Sequence, residues 1–561
     1  MSLDKIANRV IETDLLVVGG GIGGCCAGVK AAEQGLKVVV AEKSHTERSG
    51  NAGMGIDHFN ARPKGNATPL GFLKRQQKFM TACLGEGRFV DPNMFYSYFS
   101  RSQWGFEELE RIGVGMRWDD DDFYWVPNAH IGERKSCLRV HWQRIKPDLS
   151  RALKKTSATV LERTMIIDLL TNGNNITGAT AFDTRTGEFI IIKCKAAVVA
   201  TGDFQRCYEA EAPMSWKYKL RYDGCPAAQS GDGRAMVYRA GGDLVNMDLT
   251  GWVFRVRDDV MISFGNFDHG EGITAKHFTA DGEELPFVDT QVYAKLEKEG
   301  RTPLYQSLEH LPKEYHDRME VAYADEKTID FKFAEERGFN PRTHRYEVVP
   351  LKPLTFRSGG VYTDEKCSTN VNGLYALGEC ALAPGCGPSS CLGFMVGDDL
   401  SKTLGDVEQL SIDEGQVEEQ KEIAFAPMKV KDGTQPLEIE SSIRYICERY
   451  VGLEKSEGKL KEGLRRLGSL RRVFLPQMQA TNPHEIMRAM EAKNIMDLAE
   501  VHIHACLNRE ETRCNYVRID CPETDPARTN RPTFQRRVNG KMVVEIREIP
   551  DLKPEYAKED E

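Results

Sequence analysis

The chain has 561 residues, more than one hydrophobic core organises, so roughly two to four domains are expected. Hydrophobic residues make up 40% and charged residues 28%, as in an ordinary globular protein, and a net charge of -9 excludes partners that need a basic surface, nucleic acid and anionic membrane among them. No apolar run approaches the ~20 residues that span a bilayer. The segment from Met1 to Asp14 carries no apolar stretch of the secretory kind, so a cytoplasmic location is expected.

In chain order, the first clear element is a short strand, Asp14 to Val18, running directly into Gly19-Gly20-Gly21-Ile22-Gly23-Gly24. A small-residue helix follows from Cys25 to Gln34, closed by Gly35, and a second strand runs from Leu36 to Ala41 and ends at Glu42. Gly19, Gly21 and Gly24 have the spacing of a dinucleotide-binding turn. In such a turn the first glycine permits the bend, the second lets the backbone approach a pyrophosphate, and the third allows helix and strand to pack closely. The helix start offers N–H groups and a positive dipole end to phosphates. Glu42 is placed to accept hydrogen bonds from a ribose.

Lys195 to Gly202 reads as a buried strand ending in the small-residue turn Ala200-Thr201-Gly202, and Gly373 to Glu379 as another ending in Gly378-Glu379. Strands of a doubly wound sheet present their C-terminal ends to the ligand crevice. The dinucleotide domain is therefore expected in two parts, residues 1–248 and 347–407, around an inserted cap at 249–346 that is rich in charge and glycine and shows little sheet pattern. Residues 408–508 read as helical, with Leu460, Leu464, Leu467, Leu470 and Val473 on one face. A tail at 509–561 contains a short hairpin between Phe534 and Ile549. The fold class expected is α/β: a doubly wound, Rossmann-like domain with an inserted α+β capping domain and a C-terminal helical domain.

The 15 cysteines include no CxxC and no ferredoxin-like run, so the chain is expected to hold no iron–sulfur cluster or structural zinc of its own. Most are expected to be small buried residues.

Taken together, these motifs resemble the flavoprotein subunits of the succinate dehydrogenase/fumarate reductase superfamily, and within it the α subunits of adenylylsulfate (APS) reductase. Lys43, Arg48-Ser49-Gly50, Gly55 and Asn60 match the loop that lies against the isoalloxazine ring in the APS-reductase branch. Gly231-Asp232-Gly233 matches the helix leading out of the flavin domain, and Gly359-Gly360 with Gly378-Glu379 the return to it, where the acid holds the ribityl chain. Glu511-Thr512-Arg513 with Arg518, Asp520 and Pro522 matches the C-terminal signature. The resemblance implies an FAD-dependent oxidoreductase, with FAD bound non-covalently. It implies a substrate held between flavin and cap and, for electron partner, a ferredoxin-like iron–sulfur subunit.

Departures from the family narrow the substrate. The family's His-Pro-Thr stretch reads here Trp252-Val253-Phe254-Arg255, its histidine before Gly-Gly falls near Thr355, its cap arginine near Thr290-Gln291, and its second carboxylate-binding arginine on Cys391. A dicarboxylate needs a charged clamp to offset desolvation, so fumarate and succinate are not expected. Three readings stand beside a flavoprotein subunit of unspecified substrate: APS reductase itself, an electron-transfer module without a small-molecule site, and an atypical fumarate reductase.

Ser44-His45-Thr46 repeats the context in which succinate dehydrogenases attach FAD covalently, yet the residues that follow are of the non-covalent type, and His45 is read as a solvent-facing loop histidine. Arg255 and Arg257 lie where an APS reductase holds its sulfate-phosphate anion; they are either that anion's partners or surface charges. His269, in Asp268-His269-Gly270-Glu271-Gly272, is the favoured acid/base, with Glu271 and His277 as further polar candidates. Ser389, Ser390, Cys391 and Leu392 open a helix whose N-terminus, in the family, points at the flavin N1 and C2=O edge, and Ser389 and Ser390 are N-cap residue types. Cys386 and Cys391 have the spacing of some redox pairs, against the plainer reading as small residues packed near the flavin. Trp118, Trp125 and Trp142 read as core, Trp252 as a candidate stacker, and His141 and Arg144 as structural.

Overall fold

The computed structural model describes residues 3–54, 58–60, 62, 68–74, 77, 90–117, 123–128, 133–140, 144–208, 228–256, 275–286, 288, 290–313, 316–317, 320, 328–355, 359–383, 385–513 and 515–558. At its centre is a five-stranded sheet in the order Leu374–Ala376, Ala196–Val199, Leu15–Val18, Val38–Glu42, Thr159–Glu162, with every neighbouring pair parallel. Leu15–Val18 is buried along its whole length, because Leu15 and Val17 pack on the helix side, against Cys25 and Val29, and Leu16 and Val18 on the other, against residues of a second sheet such as Ile166 and Ile190. An uninterrupted apolar run suits a strand covered on both faces. The chain leaves this strand for Val38–Glu42 on one side, and Ala196–Val199 joins on the other. The C-terminal end of Leu15–Val18 is thus a topological switch point, where open α/β sheets form their ligand crevice.

Two smaller sheets brace this one. Arg9–Glu12, Phe189–Lys193, Asn175–Asp183 and Thr164–Asn172 form the first, and Gly360–Val361, Leu244–Val245, Thr533–Val538 and Lys541–Ile546 form the second. The second sheet contains the tail hairpin and ties the end of the chain to Leu244–Val245 and Gly360–Val361.

The inserted cap contains the sheet of the expected α+β domain, although its sequence shows little sheet pattern. Gly251–Val256, Arg345–Thr355, Leu304–Ser307, Lys276–Phe278 and Glu284–Leu285 make a five-stranded antiparallel sheet. Three of its strands, Lys276–Phe278, Glu284–Leu285 and Leu304–Ser307, are only two to four residues long, and Lys276, Glu284 and Glu347 place charge within the sheet. An antiparallel sheet with one solvated face tolerates such composition. The Arg345–Thr355 strand also carries this sheet past residue 346.

The C-terminal helices Glu414–Phe425, Pro436–Tyr450, Glu457–Val473 and Pro483–Asn508 start where polar side chains satisfy free N–H groups. Asp413 accepts from Gly415 N, Ser456 from Lys459 N and Asn482 from Glu485 N, while Gln435 and Glu438 form a capping box. On Glu457–Val473 the residues Leu460, Leu467 and Leu470 are buried and Leu464 packs against them. Val473 is 49% exposed, a correction to the expected stripe: it is the last residue of the helix, beyond the edge of the core.

Pro483–Asn508 is buried nearly all round, and its polar residues therefore need partners inside the protein. Glu491 accepts from Lys43 Nζ at 2.7 Å and from Arg206 Nη1 at 2.6 Å, and Arg488 joins them. Arg206 also donates to Glu440 Oε1 at 2.8 Å, so a buried ion network welds the segment around Lys43 and Arg206 to the C-terminal helices. These cations hold the Glu491 carboxyl down at about 2 against its burial, which by itself raises it. Glu491→Gln is expected to destabilise the chain by ~3–5 kcal/mol at neutral pH, since it leaves buried cations short of charge. A carboxylate lowered on folding contributes fully above its ordinary 4.5 and nothing below about 2, so the difference between parent and variant shrinks across that interval. Guanidinium denaturation at a series of pH values measures both effects.

Candidate functional site

The glycine turn divides its work as the spacing suggests. Gly19 adopts φ +100°, and a Cβ there would lie 2.7 Å from the Ala200 carbonyl oxygen. A Cβ on Gly24 would lie 1.8 Å from the Gly19 oxygen, so that glycine is required for helix and turn to touch. A Cβ on Gly21 would meet nothing nearer than Ala200 O at 3.9 Å, and the space before it is open. Gly21 is also the N-cap of Ile22–Glu33, and no side chain caps that helix, so its first-turn N–H groups stay available to an anion. Close approach is barred where the fold must close and permitted where a diphosphate would lie.

Glu42, buried at the end of its strand, accepts from Gly20 N and from Ser44 N, both at 2.7 Å. The acid therefore shapes the turn as well as facing the crevice. Lys43 does not match its expected place beside the cofactor. Its ammonium donates to Ala228 O, Ser230 Oγ, Asp232 Oδ2 and Glu491 Oε1 at 2.6–3.0 Å, drawn into the ion network by two full negative charges.

The following loop folds over the turn. Ser49 Oγ donates to Gly20 O at 3.2 Å, and a Cβ on Gly50 would stand 3.4 Å from Gly21 Cα. Arg48 is exposed, with Nη1 3.5 Å from Gly53 O. Gly55 lies outside the described residues, as does the side chain of Asn60, whose backbone is in the His58–Asn60 strand. Asn51, which no sequence pattern marked, donates to Glu379 and accepts from Gln229 Nε2 at 2.8 Å. Gln229 in turn packs against Gly202, and Thr201 Oγ1 accepts from Gly233 N at 3.1 Å. The turn Ala200-Thr201-Gly202, the Ser49-to-Asn51 loop and Gly378-Glu379 are thus brought to one place, as expected from sequence.

The helix Cys386–Thr403 arrives at the same end. Its N-cap is Gly385, without a side-chain cap, which corrects the expectation for Ser389 and Ser390. They are the fourth and fifth residues of the helix, about one turn past the cap, and donate back, to Gly385 O at 2.7 Å and Gly387 O at 3.0 Å, a local alternative open to serine within a helix. Ser389 faces Gly378, whose Cβ would stand 3.0 Å from its Oγ, and its carbonyl oxygen stands 3.1 Å from a Cβ on Gly23. Two uncapped helix N-termini therefore converge on one crevice.

Cys391 and Leu392 are fully buried, Cys391 against Gly105, and burial pushes the Cys391 thiol up to about 12. That is the reverse of a reactive thiolate. Cys386 and Cys391 sit on one helix roughly 140° apart around its axis, so they do not face each other as a redox pair must.

His45 has a 39% exposed side chain with Nε2 3.7 Å from Glu162 Oε1, whereas Thr46 is buried and donates to Glu162. Arg144 is an exposed surface residue 3.7 Å from Asp148. Arg257, His269, Glu271, Trp118, His141 and Trp142 lie outside the described residues. So do the side chains of Trp125, Trp252 and Arg255; the backbones of the last two are in Gly251–Val256. His277 is half-buried in the cap sheet opposite Leu285 and Gln306.

Residues that sequence reasoning missed include Arg234. It is buried, and Nη2 donates to Asp203 Oδ1 at 2.8 Å and to Glu379 O at 2.7 Å. Its Nε and Nη1 have no hydrogen-bond partner among the described residues. Only the neighbouring Gly231-Asp232-Gly233 pattern pointed near it. Among the described residues no cluster of His, Cys, Asp or Glu is placed to hold a metal ion, and no helix is long and apolar enough to cross a membrane.

Comparison with known proteins bears on this crevice. The family described as "FAD binding domain" matches residues 14–260, and the family described as "Fumarate reductase flavoprotein C-term" matches residues 440–554. An uncharacterized FAD-dependent oxidoreductase of Methanocaldococcus jannaschii is 23% identical over 92% of this chain and 94% of its own. A fumarate reductase (CoM/CoB) chain of Methanothermobacter marburgensis is 23% identical over 92% of this chain and 96% of its own. The solved structure of adenylylsulfate reductase from Archaeoglobus fulgidus superposes with a TM-score of 0.81 at 22% identity, covering 97% and 96% of the two chains.

The glycine geometry separates binding from folding. Gly21→Ala is expected to leave thermal stability unchanged while weakening FAD binding by about tenfold or more, and Gly24→Ala to lose both. Thermal melts and flavin fluorescence titration of the two variants distinguish these outcomes.

Proposed function

The chain belongs to the succinate dehydrogenase/fumarate reductase flavoprotein family and is an FAD-dependent oxidoreductase, and from that premise we propose that it is the flavoprotein subunit of a two-electron enzyme whose substrate lies between flavin and cap and whose electrons pass through a separate ferredoxin-like iron–sulfur subunit. The observation that carries this reading is the convergence of two uncapped helix N-termini, those of Ile22–Glu33 and Cys386–Thr403, on one crevice. FAD supplies hydride chemistry at its N5. The residues of the chain hold and tune it. Amides of the first helix meet the diphosphate, and Gly378, Glu379, Asn51 and Gln229 line the path between. Amides of the second helix stand where negative charge on a reduced ring is offset.

The substrate proposed is not a dicarboxylate. Where the family presents cap and clamp arginines, this chain has Thr290, 1% exposed, and Cys391, whose thiol is neutral below about 12. Neither group offsets the desolvation of a carboxylate. A second reading, APS reductase, is favoured by the likeness to the adenylylsulfate reductase fold and by Arg255 and Arg257 in the cap, with His269 as the acid/base.

Purified with its iron–sulfur partner, the protein is expected to show no benzyl-viologen-linked fumarate reduction above background. A catalytic rate there would overturn the clamp argument. Ferricyanide reduction that requires both AMP and sulfite selects the second reading. The flavin is expected to be non-covalent, because His45 faces solvent: acid precipitation should release all of it, and His45→Ala should retain the parental flavin content. Flavin that stays with the precipitate in the parent and is lost from the variant would establish a covalent link.

A further inference from the structure

Lys146 lies in the first turn of Ile145–Lys155 and is fully buried. Its ammonium donates to the Gly20 carbonyl oxygen and approaches Cys25 Sγ at 3.7 Å. Among the described residues no carboxylate pairs with it, unlike the ammonium of Lys43, which has Asp232 and Glu491. A buried cation without a counter-ion is costly, and a fold retains one where something else offsets that cost.

Gly20 is the middle residue of the glycine turn, and both of its backbone groups are held by buried charge. Its N–H donates to Glu42 Oε2 at 2.7 Å, and its carbonyl takes Lys146, Ser49 Oγ at 3.2 Å and Cys25 Sγ at 3.2 Å. In a planar trans peptide the C=O of Gly20 and the N–H of Gly21 point in opposite directions. Drawing the carbonyl toward Lys146 therefore turns the Gly21 N–H the other way, and a Cβ on Gly21 would meet open space. The same carbonyl anchors Ser49, so the flavin-side loop is tied to the diphosphate turn through one oxygen.

We propose that Lys146 is a positioning residue for the diphosphate of FAD: it fixes the Gly20–Gly21 peptide with its N–H toward the crevice, and its unpaired positive charge behind the turn offsets the dianion in front of it. The charge acts through a thin layer of backbone in a low-dielectric setting, where Coulomb terms are large. It is not a catalytic residue.

A purely packing role and a diphosphate role differ in ligand dependence. Deflavinated full-length protein is titrated calorimetrically with ADP and with adenosine, and by fluorescence with FAD and with riboflavin. Lys146→Met is expected to weaken ADP and FAD by about thirtyfold or more while adenosine and riboflavin change less than about twofold. Lys146→Gln removes the charge while retaining a neutral donor on a side chain one bond shorter; it is expected to show the same selective loss and covers the case in which the Met variant does not fold. Equal losses for all four ligands, no loss for any, or failure of both variants to fold would each overturn the proposal, since the ammonium would then serve the fold alone.

Discussion

Everything at the crevice depends on two helices touching backbone to backbone. A Cβ on Gly393 would lie 2.5 Å from Gly23 O, and one on Gly397 would lie 2.6 Å from Ala27 O, so Ile22–Glu33 and Cys386–Thr403 approach as only glycine allows. Gly24 repeats the device against Gly19. Ordinary side chains would hold helix axes ~8–10 Å apart and carry the second N-terminus away from the first. With glycines at the contact, the two positive helix ends share one opening. The adjoining loops, Ser49 to Asn51 and Gly378 to Glu379, then come within hydrogen-bonding range of each other.

Around that contact the polar groups are sorted by what is left for a ligand. Glu42 and Lys146 use their charges on opposite ends of the Gly20 backbone, while Lys43, one residue from Glu42, turns its charge to the interior. Arg234 is intermediate, with one guanidinium nitrogen fixing the Glu379 backbone and two others without a partner among the described residues. Buried donors left open beside a cofactor crevice are where water, cofactor or substrate completes the hydrogen bonding. The same sorting explains Cys391 and Thr290: small neutral residues are easily buried, but they bring an anion no positive charge.

The parts of this arrangement that sequence exposes are those set by local geometry. Gly19, Gly21 and Gly24 are legible because a tight turn feeding a helix permits no other residue at two of those positions, and Glu42 because it ends the next strand. Strands buried on both faces announce themselves as apolar runs, as Leu15–Val18 and Ala196–Val199 do. The cap sheet does so less clearly, since strands as short as Lys276–Phe278 and Glu284–Leu285, each carrying a charged residue, show no pattern. Ser389 and Ser390 have the composition of caps, but one turn of register separates composition from position. Lys43, Asn51 and Lys146 escape a sequence reading for one reason: their partners at Glu491, Glu379 and Gly20 are far away along the chain, and only the tertiary fold shows which way each side chain turns.

The sheet order also has a consequence for how the chain is made. Ala196–Val199 is flanked on one side by Leu15–Val18 and on the other by Leu374–Ala376, a strand synthesised much later. Until that strand leaves the ribosome, a nascent chain carries an open apolar edge of the kind that invites wrong pairing. Lys43 waits longer still for Glu491. The flavin crevice begins with the first strand translated into the central sheet, yet it closes only after the cap and the helix Cys386–Thr403 exist. A chain that stops before that helix therefore presents half a crevice with its edge exposed.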